Sequence, residues 1–251
     1  MSEKIMLIAG CSHTAGSEID GELDSALNRS LSYGNILAKK LGYTPINIAI
    51  GGSTNGAIVR SVLDWFQNHD ITNKEIFVLI GWTESTRVDA PFQYPTWHEK
   101  AGAKFADWVS PSMSNFLHIN LTFKGYTERE KDIQEDYQSF IVKRTEFFEV
   151  YSANLALQLQ FFLKHINVKY LMVNTMHMFS KSNEQYLKSY LSMIDNKHYY
   201  NALNNEESFY TKYKDSKYNA YRNPKTVYGH HGAEPHRLYA EELYNYITET
   251  Q

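Results

Sequence analysis

A serine preceded by an apolar run and a glycine is the first place in this chain where chemistry can be read. Lys4-Ile5-Met6-Leu7-Ile8-Ala9 leads directly into Gly10-Cys11-Ser12-His13-Thr14. The run predicts a buried strand, and its carboxyl end is where an open α/β sheet collects its ligands. A hydroxyl delivered there can attack a carbonyl if a base takes its proton and N–H groups receive the charge that develops on oxygen. The same five residues also suit a plain strand-to-helix turn in which the serine caps the helix, and taken alone they do not separate the two readings.

The partners that acyl transfer needs arrive at the ends of other predicted elements. Gly51-Gly52-Ser53-Thr54-Asn55 follows a second apolar run, Trp82-Thr83-Glu84 follows a third, and Gly229-His230-His231-Gly232 precedes the last helical stretch. Ser12 can attack, and His230 can accept its proton. The backbone N–H groups of Ser12 and Gly52 can hold the oxyanion, with the Thr83 hydroxyl as a further donor. His13, Asn55, Glu84, Arg87 and His231 stand beside these positions as substrate-binding or supporting groups. Glu84 and Arg87 read equally well as an ion pair within one loop or as substrate recognition. His13 also fits a loop histidine bonded to backbone. His230 and His231 are adjacent, so they project differently, and no Cys, Asp or Glu stands at ligand spacing; no metal site and no cofactor is expected.

The elements that must carry these residues follow an alternating pattern. Apolar runs at about 4–9, 45–50, 75–81 and 168–174 alternate with amphipathic stretches at about 30–41, 55–68, 137–165 and 234–249. This rhythm predicts a parallel sheet with helices on both faces, in one domain spanning residues 1–251. Two stretches break the pattern, about 90–136 and 180–228, and are read as insertions that cover or shape the site. The G-G-S-T-N-G turn lacks the Lys-Ser/Thr of a phosphate-binding loop and the spacing of a dinucleotide fingerprint, which argues against nucleotide binding.

Composition narrows the partners. With 25 Lys and Arg against 28 Asp and Glu, the net charge is −3, and no basic run marks a nucleic-acid surface, so no nucleic acid is expected. No stretch is long and apolar enough to suggest a membrane span, and the start M-S-E-K-I-M-L-I-A-G is too short an apolar run for a secretion signal. The single cysteine, Cys11, excludes an intrachain disulfide and suits a reducing compartment, so a cytoplasmic location is expected. Nineteen tyrosines within a 14% aromatic content suggest surfaces able to hold sugars or bases. Trp82, Trp97, Trp108 and the tyrosines of 186–221 form such a platform or simply pack.

Taken in order, these blocks resemble the SGNH, or GDSL-type, hydrolase superfamily. The matching segments are Gly10-Cys11-Ser12, Asn47 to Asn55 with its glycines, Gly81-Trp82-Thr83-Glu84 and Val227-Tyr228-Gly229-His230, and they span the chain. The Gly-Cys-Ser-His-Thr start and the Ile-Gly-Trp-Thr block look nearest to SGNH-like proteins found in tailed-phage genomes. The resemblance implies a flavodoxin-like α/β/α sandwich with long insertions. It also implies a serine esterase with Ser12 as nucleophile, His230 as the catalytic histidine and His236 as the histidine that starts the final helix. A small-molecule or carbohydrate ester, such as an O-acetyl sugar, is the substrate it suggests. Host cytoplasm, or a virion, would be the location of a phage-encoded member.

Three positions depart from that pattern. Cys11 stands where the family has aspartate beside the serine, Thr83 where it has an asparagine donor, and Val227 where it has the aspartate that orients the histidine. A Ser-His dyad is therefore expected, with a backbone carbonyl, Glu84 or Asp215 as the group that would hold His230. The departures also leave room for a catalytically silent binding or virion-associated domain, or for an acyl or glycosyl transferase on the same scaffold.

Overall fold

A computed structural model describes residues 2–91, 116–119, 132, 135–136, 139, 145–214 and 229–250. Strand β1 (Glu3–Gly10) pairs in parallel with both β2 (Thr44–Asn47) and β3 (Lys74–Trp82). Strand β3 pairs in parallel with the strand Lys169–Asn174, which pairs in parallel with the short strand Tyr199–Tyr200. A second, antiparallel ribbon joins β4 (Val88–Pro91) to β5 (Phe116–Ile119), so the two later strands of the main sheet are β6 and β7. The main sheet has the order β2-β1-β3-β6-β7, the flavodoxin-like arrangement expected.

Alternation along β1 assigns its residues to two apolar layers. Ile5, Leu7 and Ala9 pack into one cluster with Ile58, Val62, Trp65, Ala156, Leu159 and Leu163. The last six come from α4 (Asn55–Asn68) and α5 (Thr145–His165). Met6 and Ile8 pack on the other face with Leu37, Tyr239 and Leu243, from α3 (Tyr33–Lys40) and the terminal helix Ala233–Thr250. Successive strand side chains point to opposite faces, and both faces are covered by helices, which makes the three-layer α/β/α sandwich.

Several boundaries differ from the sequence expectation for identifiable reasons. The helix expected at about 30–41 is two helices, α2 (Ala26–Leu31) and α3. Ser32, at φ −67° and ψ 150°, ends the first and caps the second by accepting from the Asn35 N–H. The second apolar run leaves the ladder after Asn47, although Ile48 N still donates to Ile8 O at 2.8 Å and Ile50 N to Gly10 O at 3.1 Å. A fifth strand, β7, lies inside the stretch expected to be irregular. The β4–β5 ribbon lies partly within the other insertion, most of which falls outside the described residues, as does most of 137–144.

Strands β1 and β3 are neighbours whose onward connections lead to opposite sides of the sheet, β1 to β2 at one edge and β3 to β6 toward the other. The crevice at their carboxyl ends is the topological switch point of such a sheet. Ser12 and Thr83 stand at those two ends.

Candidate active site

Ser12 is the first residue of a one-turn helix, α1 (Ser12–Ala15), behind the extended N-cap Cys11. Ala15 N donates to Cys11 O and Ser17 N to Ser12 O, both at 2.9 Å, which fixes the turn that presents the serine. Gly16 closes it at φ 80°, and a Cβ there would lie 2.5 Å from Asn28 O. Two residues on, Glu18 takes the left-handed conformation at φ 63°, uncommon for a side chain with a Cβ. Its N–H donates to Glu22 O at 2.9 Å.

That backbone places the Glu18 carboxylate 2.6 Å from Nδ1 of His230. Both side chains are nearly enclosed, at 3% and 10% exposure. A proton on Nδ1 shared with this carboxylate would be the tautomer that puts the lone pair on Nε2, as a general base requires. Among the described residues the carboxylate against His230 is thus Glu18 and not Glu84, which pairs with Arg87; Asp215 lies outside the described residues. Glu18 thus brings His230 a carboxylate from a place the sequence pattern does not use.

His13 brings the serine loop against the histidine loop. Its ring lies 4.7 Å from that of His230, 5.8 Å from His231, 5.3 Å from Tyr210 and 5.9 Å from Phe209. Burial, reinforced by the neighbouring His230, His231, Arg87 and His236, holds the His13 pKa well below the ordinary imidazole value, so the ring is neutral at pH 7. His231 is buried, with Nε2 at 3.2 Å from Tyr210 O. His236 accepts the Tyr33 N–H on Nδ1 at 3.2 Å, and burial lowers its pKa as well. Among the described residues no group of three or more His, Cys, Asp or Glu side chains is placed to hold a metal ion.

On the other side of the serine, Gly51 comes close enough that a Cβ would lie 3.9 Å from the Ser12 Cβ. Gly52 follows at φ 79°, and Ser53 N closes the turn on Ile50 O at 3.2 Å. Arg29 secures the approach to this turn, donating from Nη1 to Asn47 O at 3.0 Å and Ala49 O at 2.9 Å. Thr54 caps α4 through the Ala57 N–H and gives its own proton to Asp89 of the β4–β5 ribbon at 2.7 Å. Asp89 also pairs with Arg60 at 2.7 Å.

Asn55 ties this loop to the end of β3. Its Oδ1 accepts the Thr83 N–H at 3.0 Å, while Nδ2 donates to Thr83 O at 3.3 Å and to Ser152 Oγ at 3.1 Å. Thr83 is fully buried, and its hydroxyl donates to the Met176 sulfur at 3.7 Å. Trp82 is also fully buried and belongs to the core; Trp97 and Trp108 lie outside the described residues.

Beneath the site, Thr14, Tyr33 and Thr175 share hydroxyl hydrogen bonds of 2.8, 3.2 and 3.2 Å. Gly10 and Gly81 are register partners, and a Cβ on either would stand 2.2 Å from Thr14 Oγ1. The glycines of the first and third blocks are therefore demanded by this hydroxyl cluster. Sequence reading missed Glu18, Arg29 and the Thr14–Tyr33–Thr175 cluster. The only local signal for Glu18 was an acidic residue just past a Gly16 turn.

No family model and no curated protein matches the chain. Among solved structures it is similar to a carbohydrate esterase, with TM-score 0.49 and 13% identity over 99% of this chain and 69% of that one. It is also similar to a psychrotrophic esterase from Pseudoalteromonas sp., with TM-score 0.46 and 12% identity over 98% of this chain and 97% of that one. A third likeness is to an acetylxylan esterase from Geobacillus stearothermophilus, with TM-score 0.42 and 13% identity over 98% of this chain and 94% of that one. The fold assignment rests on the sheet order, and any functional reading rests on the geometry of the site.

Proposed function

We propose that the chain is a serine ester hydrolase of the SGNH type, with Ser12 as nucleophile, His230 as general base and Glu18 as the carboxylate that orients and charges against His230. The observation that carries this reading is the buried 2.6 Å contact between Glu18 and His230 Nδ1, on the same loop that presents Ser12. A carboxylate and an imidazole enclosed together, the carboxylate on the loop that presents a serine at a sheet's switch point, are the parts an acyl transfer needs.

In the reaction so derived, Ser12 Oγ attacks the ester carbonyl carbon as His230 Nε2 takes the hydroxyl proton. Glu18 stabilises the imidazolium that forms. The carbonyl oxygen becomes an oxyanion beside the Ser12 and Gly52 N–H groups. Thr83 joins them only if its hydroxyl leaves Met176, and a thioether is a weak acceptor to leave. Collapse expels the alcohol, which receives the proton from His230. Water then repeats the sequence on the acyl-serine, releasing the acid and restoring Ser12.

An O-acetyl or other small acyl ester on a carbohydrate is the first substrate to try, on the strength of the aromatic content. The first and third blocks support a kinship with the SGNH-like proteins of tailed phages. The buried Thr83 hydroxyl favours one competing reading, a binding domain that no longer hydrolyses. Among the described residues no helix is long and apolar enough to cross a membrane.

The test is covalent labelling by a fluorophosphonate probe together with turnover of p-nitrophenyl acetate. Both are expected in the native chain and absent in Ser12→Ala. An unlabelled Ser12 in a folded protein would leave the binding domain as the better reading.

A further inference from the structure

Arg87 is the one guanidinium at the carboxyl edge of the sheet, among the described residues, whose hydrogen-bonding partners are all accounted for and poor. Its side chain is only 13% exposed. Nε meets Glu84 Oε2 at 3.4 Å, and Nη2 meets the Met176 sulfur at 3.3 Å. No other partner stands near it among the described residues. A guanidinium carries five N–H donors, and a thioether is a weak acceptor. Among the described residues Nη1 has no protein partner, and it is not sealed from solvent, so an incoming ligand can reach the donors that the protein leaves unmatched.

Its location connects it to the reacting groups. Met176 receives both the Thr83 hydroxyl and Arg87 Nη2, so the guanidinium sits over the end of β3. It also lies near enough to His13 for its charge to weigh on that ring. Glu84 engages only the Nε corner, at a long distance, and is itself 35% exposed. Among the described residues the Nη1–Nη2 edge therefore meets no carboxylate. That edge presents two parallel N–H groups, the geometry that matches a planar carboxylate.

We propose that Arg87 determines specificity at this site and that the ester it serves carries a carboxylate on its acyl or sugar part, held by the Nη1–Nη2 edge. The proposal rests on the hydrolase reading only for the word ester; the anion site stands on Arg87 itself. Displacing Met176 from Nη2 on binding also frees the sulfur that holds Thr83.

Binding can be separated from turnover by calorimetric titration of the Ser12→Ala chain with monomethyl succinate and with its neutral isostere, methyl succinamate. The acid is expected to bind roughly tenfold or more tighter than the amide. Adding Arg87→Gln should bring the ratio close to one, and Arg87→Lys, which keeps charge without the planar fork, should fall between. Equal affinity for acid and amide, or a preference that survives Arg87→Gln, overturns the proposal. The acid–amide comparison needs no Arg87 variant, so it decides the matter even if Arg87→Gln does not fold. Fluorophosphonate labelling of the native chain reports separately on Ser12. Discrimination without labelling keeps the anion site and removes the hydrolase, whereas labelling without discrimination does the reverse.

Discussion

Glu18 and His230, 212 positions apart in sequence, meet at 2.6 Å in a buried contact, and Glu18 lies just past the helix that Ser12 opens. The acid thus lies on the serine loop and not near the histidine in sequence.

Glu18→Gln should keep the shape of this contact and lose its charge. Gln can donate to Nδ1, which favours the wrong imidazole tautomer, and kcat on p-nitrophenyl acetate is expected to fall by about 10²–10⁴. Glu18→Asp should lose less. A kcat within about twofold of the native value in Glu18→Gln would remove Glu18 from the mechanism, provided thermal melts show the variant folded.

Acidification below about pH 6.5 should destabilise the fold through its buried histidines. His13 and His236 have lowered pKa values in the native state through burial. Above about pH 6.5 both are neutral whether folded or not, so neither affects stability there. As pH falls below that value the unfolded chain takes up protons that the native rings refuse. Each histidine then removes up to about 1.4 kcal/mol per pH unit until its own native pKa is reached. Urea melts at pH 7.5, 6.5 and 5.5 should show this decline, with a shallower slope in His236→Asn.

Gly81→Ala should be costly although alanine adds one methyl group. Its Cβ would meet Thr14 Oγ1 at 2.2 Å and both Thr175 Oγ1 and Tyr33 OH at 2.5 Å. A loss of roughly 1–3 kcal/mol or more is expected from overpacking. Combining it with Thr14→Ala should recover part of that loss, so a double-mutant cycle should show coupling. Strict additivity would argue against this account of the glycine.

Asn55→Ala would leave the Thr83 N–H buried without its acceptor and free the end of β3 from the glycine turn. A stability loss of about 1–3 kcal/mol follows from the orphaned donor, measurable by denaturant unfolding. Because the clamp also sets where β3 ends, kcat should fall beyond what the stability loss explains at temperatures where the variant is folded.

Much of the scaffold was legible because it depends on short-range patterning. The alternation of Ile5, Leu7 and Ala9 with Met6 and Ile8 reports two buried faces, and the 55–68 helix shows as an amphipathic stretch after the glycine-rich turn. β7 was not legible, because two residues are too few to show a period. The split at Ser32 turns on one residue's choice between continuing a helix and capping the next. The positions of Ser12, which opens α1, and of His230, just ahead of the terminal helix, could be anticipated from the element pattern. Glu18 could not, since its partner lies at the far end of the chain and only the folded sheet brings the two together. Arg87 was visible as a neighbour of Glu84, but its shortage of partners depends on Met176, which reaches it from beyond β6.

The distance in sequence between Glu18 and His230 has a consequence for the order of synthesis. On a ribosome the serine loop emerges before His230, with a glutamate whose histidine has yet to be made. Tyr33 N likewise waits for His236, and Lys40 for its ion pair with Glu241. All three contacts therefore wait until the terminal helix has been made and docks on α3.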